Sequence, residues 1–528
     1  MLKILNQNIS DENMLEDSQK ESVTQNARKE VCPEKFMGKL LNYGYPLFRK
    51  GFERIDCKEF VPIEKLVTIV AILPKELGKP AQSYFEILQG VAKYYPGMRV
   101  ILATQKDLEP SVKSEISKLK IGFENHIIDN AGQGALLIEL VGKVSTPYVL
   151  IASNITHFDD DINLERMVRV LSYEPRVTFV GGAHRNLRGE WDIGCQQMAF
   201  KNMTATYMGG YYRSFNECVV CDYLSGSIMT RSETFKELQF DASMKYGAFH
   251  DLFWRFRKEM PENIAASCPD VMFNIYSREI DDVELVAFAN KHLIHRIIDP
   301  DGRVRWYGCR KGYSYTSAGL CKKVSGMGLS PAEMENLADV IKFFMRACHA
   351  SGAFCEFQSG TMMGAVKFNG VLPWDIDGDI VFLAKNFSVI EKLKSKIEKA
   401  GYTLSVGYGV KDGRTGYFAL KTTNWKVDLW GFTEFGSHMD VAKGVIPTKV
   451  MFSGQWVNHP HNPGLFARNR YGNGIYRHQE HWRRHKHSSA WILYNPGSFL
   501  ECPEPGHSSC LDQYPADGNM QFSDYCPS

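Results

Sequence analysis

Three aspartates at spacing two, Asp375, Asp377 and Asp379, sit between apolar runs, Val371-Leu372-Pro373-Trp374 ahead and Ile380-Val381-Phe382-Leu383 behind. No other stretch restricts the fold as much. A strand places residues i, i+2 and i+4 on one face, so an extended backbone here sets three like charges side by side. Aspartate is unfavourable in strands and seldom buried, which makes a solvated loop the plain alternative. The apolar flanks argue against that loop. A divalent cation with oxygen ligands, Mg²⁺ or Mn²⁺, would hold the carboxylates together and bridge to substrate phosphates.

Two further stretches point to the same place. Ser359-Gly360-Thr361-Met362-Met363-Gly364 reads as a small-residue turn, where Gly360 and Thr361 let a phosphate approach backbone N–H groups. Val427-Asp428-Leu429-Trp430 is an apolar run interrupted by one aspartate. A lone aspartate in a buried strand is costly unless it is paired or ligates a metal, and a helix cap or a salt bridge is the competing role for Asp428. A small-residue turn, carboxylates on one strand and another on a neighbouring strand are the parts of a nucleotidyltransferase-type site.

The run Gly360-Thr361-Met362-Met363-Gly364-Ala365-Val366-Lys367, then Leu372-Pro373-Trp374-Asp375-Ile376-Asp377-Gly378-Asp379-Ile380, then Val427-Asp428-Leu429-Trp430, resembles the LicD phosphotransferase family. The resemblance implies transfer of an alditol phosphate, ribitol 5-phosphate or similar, from a CDP-activated donor to a sugar hydroxyl on a glycoprotein glycan. It implies Asp375, Asp377, Asp379 and Asp428 as the metal ligands and catalytic carboxylates. Lys367 stands where the family has a basic residue, ahead of the turn Phe368-Asn369-Gly370 and within reach of donor phosphate, a surface lysine on a hairpin tip being the alternative. Arg470-Tyr471-Gly472 matches the family's basic-aromatic-glycine segment, so Arg470 joins Gly360, Thr361 and Lys367 as the donor-phosphate set. Around Arg470 lie Arg468, Arg477, Arg483 and Arg484 with His478, His481, His485 and His487, otherwise a solvated basic face. Two other readings stay open: a nucleotidyltransferase acting on a small molecule, and a non-catalytic glycan-binding or scaffold protein.

At 528 residues the chain is long enough for two or more domains. A net charge of +2 gives no electrostatic reason to expect nucleic acid as a partner. Ahead of the carboxylates, residues 67–73 (VTIVAIL), 99–103, 147–152 and 177–181 read as buried strands, and 81–94 and 135–141 as helices. Strands alternating with helices predict a doubly wound α/β sheet. The order resembles a GT-A glycosyltransferase, with residues 247–257 as its acceptor-side helix. Where that fold carries an Asp-x-Asp metal motif, this chain has Ser153-Asn154-Ile155; Asp159-Asp160-Asp161 comes later and reads as a helix start capped by Asp161 and Asn163. The expectation is a GT-A-like domain without activity, holding the glycan acceptor or serving as a homo-oligomer interface.

The expected organisation is a polar segment 1–34, the GT-A-like domain 35–295, a linker 296–329, an α+β nucleotidyltransferase-like LicD domain 330–500 and a tail 501–528. Ser330-Pro331-Ala332-Glu333 is a capping box with proline at the first helical position. His292, His295, Cys309 and Cys321 could complete a zinc site, but their spacing fits no standard pattern and zinc is disfavoured. Cys218-Val219-Val220-Cys221 reads as buried thiols, Cys502 and Cys510 as a disulfide pair. No run of about 18 apolar residues offers a membrane span, whereas the resemblance implies the lumen of the Golgi and secretory pathway.

Overall fold

The computed structural model describes residues 30–36, 52–54, 59–72, 80–104, 107–127, 132–276, 280–309, 326–410, 415–471 and 502–510. The chain divides into two units, one built from residues 1–198 and 207–291, the other from 199–206 and 292–528.

The first unit is a mixed α/β sheet. Val67–Ile72 lies parallel between Arg99–Thr104 and Tyr148–Ser153, and Gly122–Ile127 extends the parallel side. Each inner strand is a continuous apolar run because helices cover both faces; residues 67–71 are fully buried. Beyond Tyr148–Ser153 the sheet continues antiparallel through Ile228–Arg231 to Val177–Asn186, then parallel to Ile264–Ile275 and antiparallel to Cys218–Cys221. The expected strands and helices are all present, and the class is α/β as read. Gly122–Ile127 (GFENHI), at the sheet edge, carries no apolar run that would announce it.

The helix Leu164–Tyr173 is capped by Asn163, whose Oδ1 accepts the Arg166 N–H at 2.9 Å. Asp161 does not share that role. Its neighbour Asp159 accepts from Asn274 at 2.7 Å, tying the acidic run to the sheet. Asp251, on the helix Ala248–Glu259, is completely buried between Arg255 Nε at 2.8 Å and Lys291 Nζ at 2.6 Å.

The reading of Cys218 and Cys221 as thiols is corrected. Cys218 is bonded to Cys268 and Cys221 to Cys195, across strands separated by 50 and 26 residues in sequence. Cys502 pairs with Cys510 as expected, and Cys348 with Cys355. All ten described cysteines are disulfide-bonded.

The second unit centres on a five-stranded sheet in the order Cys355–Phe357, Asp377–Leu383, Lys426–Phe432, Tyr417–Lys421, Thr403–Tyr408. Only the second and third strands run parallel; the other neighbours are antiparallel. The helix Pro331–Ala350 closes one face. Its capping box forms as read, Ser330 N–H donating to Glu333 at 2.6 Å and Glu333 N–H to Ser330 at 3.3 Å. Gly378 lets this helix close in: a Cβ there would lie 3.0 Å from Ile341 Cδ1. One residue between two aspartates thus turns to the core while both carboxylates face away.

The segment expected as a linker carries two short strands, Arg296–Ile298 and Val304–Trp306, paired antiparallel around the Asp299-Pro300-Asp301-Gly302 turn. In the expected tail, Cys510 bridges Met327 and the Ser509 carbonyl accepts from Gly328 N–H at 2.8 Å. Among the described residues no helix is long and apolar enough to cross a membrane.

Candidate functional site

The carboxylate strand begins at Asp377, so Asp375 is not on it. Asp375 stands in the turn ahead, its N–H donating to the Leu372 carbonyl at 3.1 Å. The turn still delivers the side chain, because the Asp375 and Asp377 carboxyls are hydrogen-bonded to each other. Such a contact needs a proton between them, which a cation would replace.

The parallel pairing supplies the fourth carboxylate. Asp379 lies directly opposite Asp428, and Asp377 opposite Lys426. Asp377, Asp379 and Asp428 therefore lie on one sheet face, and the turn ahead sets Asp375 beside Asp377. Burial raises the Asp375 pKa well above the carboxylate range, and Asp377 and Asp379 add to the effect. Burial and the charges of Asp377 and Asp428 push Asp379 up to about 7, against the Trp430 indole N–H and Arg470. Burial also raises Asp377. Like charges in a poorly solvated cluster disfavour ionisation unless a cation joins them.

Gly360 and Thr361 are placed by a helix, not by a turn. After Gln358, Ser359 takes a left-handed backbone (φ 45°) and residues Ser359–Phe368 are helical. Met362, Met363, Ala365 and the core beneath them reward a helix over an irregular turn, since all three side chains are buried. Gly364 is needed for the return: a Cβ there would lie 2.4 Å from the Gly370 carbonyl oxygen. The first N–H groups of a helix have no partner within it, so this N-terminus keeps the anion-binding property expected of the turn. Thr361 also fixes the carboxylate strand, its Oγ accepting the Asp379 N–H at 2.8 Å.

Arg470 reaches the same helix start, donating to Ser359 Oγ at 3.1 Å from the end of the helix Pro463–Tyr471. Arg468 is exposed. Gly472, Arg477, Arg483, Arg484, His478, His481, His485 and His487 lie outside the described residues.

Lys367 is not at a hairpin tip. It occupies the last turn of the helix that Ser359 starts, its ammonium 5.6 Å from the Trp374 ring centroid and 5.7 Å from that of Phe368. Burial lowers its pKa to about 8.

Three site residues escaped the sequence reading. Lys426 Nζ lies 2.8 Å from Asp428 Oδ1 and 3.1 Å from Oδ2. The Tyr417 hydroxyl donates to Asp428. Trp430 donates to Asp379, and its ring meets Tyr417 at 4.5 Å, which meets Tyr408 at 5.7 Å. Only the alternation Lys426-x-Asp428-x-Trp430 hinted that these side chains share a face.

The donor set, four carboxylates and no soft ligand, suits a hard divalent cation. As they stand, no three acidic, histidine or cysteine side chains among the described residues are drawn together around a common point. Asp428 is engaged by Lys426 and Tyr417, and Asp375 by Asp377. Zinc finds less support: Cys309 is in a disulfide and so offers no thiolate, and Cys321 lies outside the described residues.

Residues 355–470 match the family described as LicD/FKTN/FKRP, nucleotidyltransferase domain. That stretch is a LicD domain and contains all four aspartates. The chain is similar to the ribitol 5-phosphate transferase FKRP of Mus musculus, 22% identical over 208 residues, covering 34% of this chain and 41% of that protein. Among solved structures it is similar to GalNAc-T7 with UDP, GalNAc and Mn²⁺ (TM-score 0.31, 10% identity, 41% of this chain and 43% of that one). A mannosyltransferase from Pyrobaculum calidifontis in complex with GDP-Man and Mn²⁺ is also similar (TM-score 0.30, 15% identity, 43% and 64%).

Proposed function

We propose that the chain is a metal-dependent transferase that moves an alditol phosphate, ribitol 5-phosphate or a close analogue, from a CDP-activated donor to a sugar hydroxyl on a glycoprotein glycan. The observation that carries this is the register of Asp379 against Asp428, with Asp377 and Asp375 beside them, inside the LicD-matching stretch. The similarity to a ribitol 5-phosphate transferase supports the substrate class.

Asp375, Asp377, Asp379 and Asp428 would hold Mg²⁺ or Mn²⁺. Such an ion neutralises charge on a diphosphate and on the departing nucleotide. The helix start at Gly360 and Thr361, with Arg470 beside it, binds the donor's phosphate oxygens through N–H groups and guanidinium. Whichever of Asp375 and Asp379 the metal leaves unsaturated would, as the ionised carboxylate made more basic by burial, take the proton from the acceptor hydroxyl. The first unit is a non-catalytic partner that holds the acceptor or an oligomer contact: Asn154 and buried Ile155 stand where a metal motif would follow the strand Tyr148–Ser153. Ten paired cysteines support an oxidising compartment such as the secretory lumen.

Incubation with CDP-ribitol, CDP-glycerol and CDP-choline tests the reading. Release of CMP from a CDP-alditol, with polyol phosphate on the glycan, is expected. Pyrophosphate release from CTP and a small molecule would establish nucleotidyl transfer in its place.

Lys367, at the other end of the helix from Gly360, is proposed to act on the donor's charge from the side of the Trp374–Asp375 turn, its ammonium 5.6 Å from the Trp374 ring centroid. Lys367→Ala is expected to lower kcat by roughly tenfold or more, the low end for losing one electrostatic stabiliser. Lys367→Arg should restore part of it. Unchanged steady-state kinetics in Lys367→Ala would confine the residue to packing on Trp374.

A further inference from the structure

Lys426 has no place in the mechanism above, yet it sits inside the site. It precedes Asp428 by two residues on the same strand and faces Asp377 across the parallel pair, so its side chain shares the face of the carboxylates. Its ammonium contacts both Asp428 oxygens, at 2.8 and 3.1 Å. The Tyr417 hydroxyl takes Asp428 as well, and the Lys426 ammonium lies 5.9 Å from the Tyr417 ring centroid. Three of the roughly four lone pairs of Asp428 are thus taken, two of them by Lys426, and a cation at this carboxylate competes with that ammonium.

Lys426 can leave. Its side chain is 49% exposed, against 11% for Asp428, and a lysine stem has four rotatable bonds. Formal charge gives the direction. The carboxylates on this face outnumber Lys426 and Arg470, an excess of negative charge that a divalent ion would reduce. A metal entering beside Asp428 repels the ammonium and competes for its carboxylate. A nucleoside diphosphate arriving next brings negative charge to the same face, and the nearest released cation is Lys426.

We propose that Lys426 is an exchangeable cation. It occupies Asp428 before metal binds, yields that carboxylate to the metal, and then contacts the diphosphate of the donor. This rests on the metal-and-CDP-donor reading of the site.

The signature is a change of opposite sign in two equilibria, neither of which needs turnover. Mn²⁺ binding is measured by electron paramagnetic resonance without nucleotide, and CDP binding by calorimetry on the Mn²⁺-saturated protein. Lys426→Met is expected to tighten Mn²⁺ by roughly tenfold and to weaken CDP by roughly tenfold, the scale of one charge-assisted hydrogen bond in each case. Lys426→Arg, a fixed fork suited to a carboxylate, is expected to weaken Mn²⁺. Unchanged affinities in Lys426→Met, or a parallel loss of both, would overturn the proposal; the parallel loss would mean that Lys426 only steadies Asp428. Wild-type protein that binds Mn²⁺ no better than Asp377→Asn would instead refute the metal reading itself, and this inference with it.

Discussion

Asp377→Asn is expected to abolish transfer, by about a thousandfold or more, with the fold kept. The substitution preserves volume and removes one anionic ligand from a site whose work is charge neutralisation. Asp377 is half-buried and hydrogen-bonded to Asp375, and its backbone stays in register with Lys426. Removing one of four like charges relieves repulsion, so the metal-free variant should unfold no earlier than wild type. Mn²⁺ should raise the thermal midpoint of wild type by mass action and leave that of Asp377→Asn almost unmoved. Wild-type activity should vanish in EDTA and return with Mg²⁺ or Mn²⁺. Full turnover in EDTA would remove the metal from the mechanism.

The second large effect is on stability. Asp251→Asn should cost about 3 kcal/mol, because it breaks a fully buried pairing with Arg255 and Lys291 and leaves two cations facing a neutral amide. CMP release from a soluble CDP-alditol, corrected for the folded fraction, should stay within about twofold of wild type, since Asp251 belongs to the first unit and the four carboxylates to the second. Denaturant titration and the CDP assay are read on the same preparation. A variant that folds as stably as wild type, has lost activity, and comes from a wild type that consumes a UDP-sugar would make the first unit the catalytic one.

The two predictions divide along a line already visible in the sequence. Residues 69–72, 100–103 and 149–152 are apolar throughout, and only a strand covered on both faces asks for that. The capping box at Ser330 and Glu333 is a local device whose partners are three residues apart, so it forms wherever the helix does. The alternation at Asp377 and Asp379 puts both carboxylates on one face by period alone.

What the chain left undecided depended on contacts between distant segments. Gly360 and Thr361 read as a turn because two glycines and a threonine are weak helix formers; burial of Met362 and Met363 in the core overrode that propensity. Asp375 fell outside the strand because Pro373 and Trp374 close a turn immediately before it. The pairing of Cys218 with Cys268 follows from which strands are neighbours, that of Cys195 with Cys221 joins two sheets, and spacing alone reports neither.

The sequence by itself determined that carboxylates at spacing two share a face and that a lone aspartate in an apolar strand needs a partner, because period and burial cost are properties of the local chain. Only the tertiary structure decided that Asp428 meets Asp379, that Lys426 and Tyr417 hold it, and that Lys367 stands at the far end of the helix that starts at Ser359. Parallel register is set by packing across residues some fifty apart in the chain, and no local pattern encodes it.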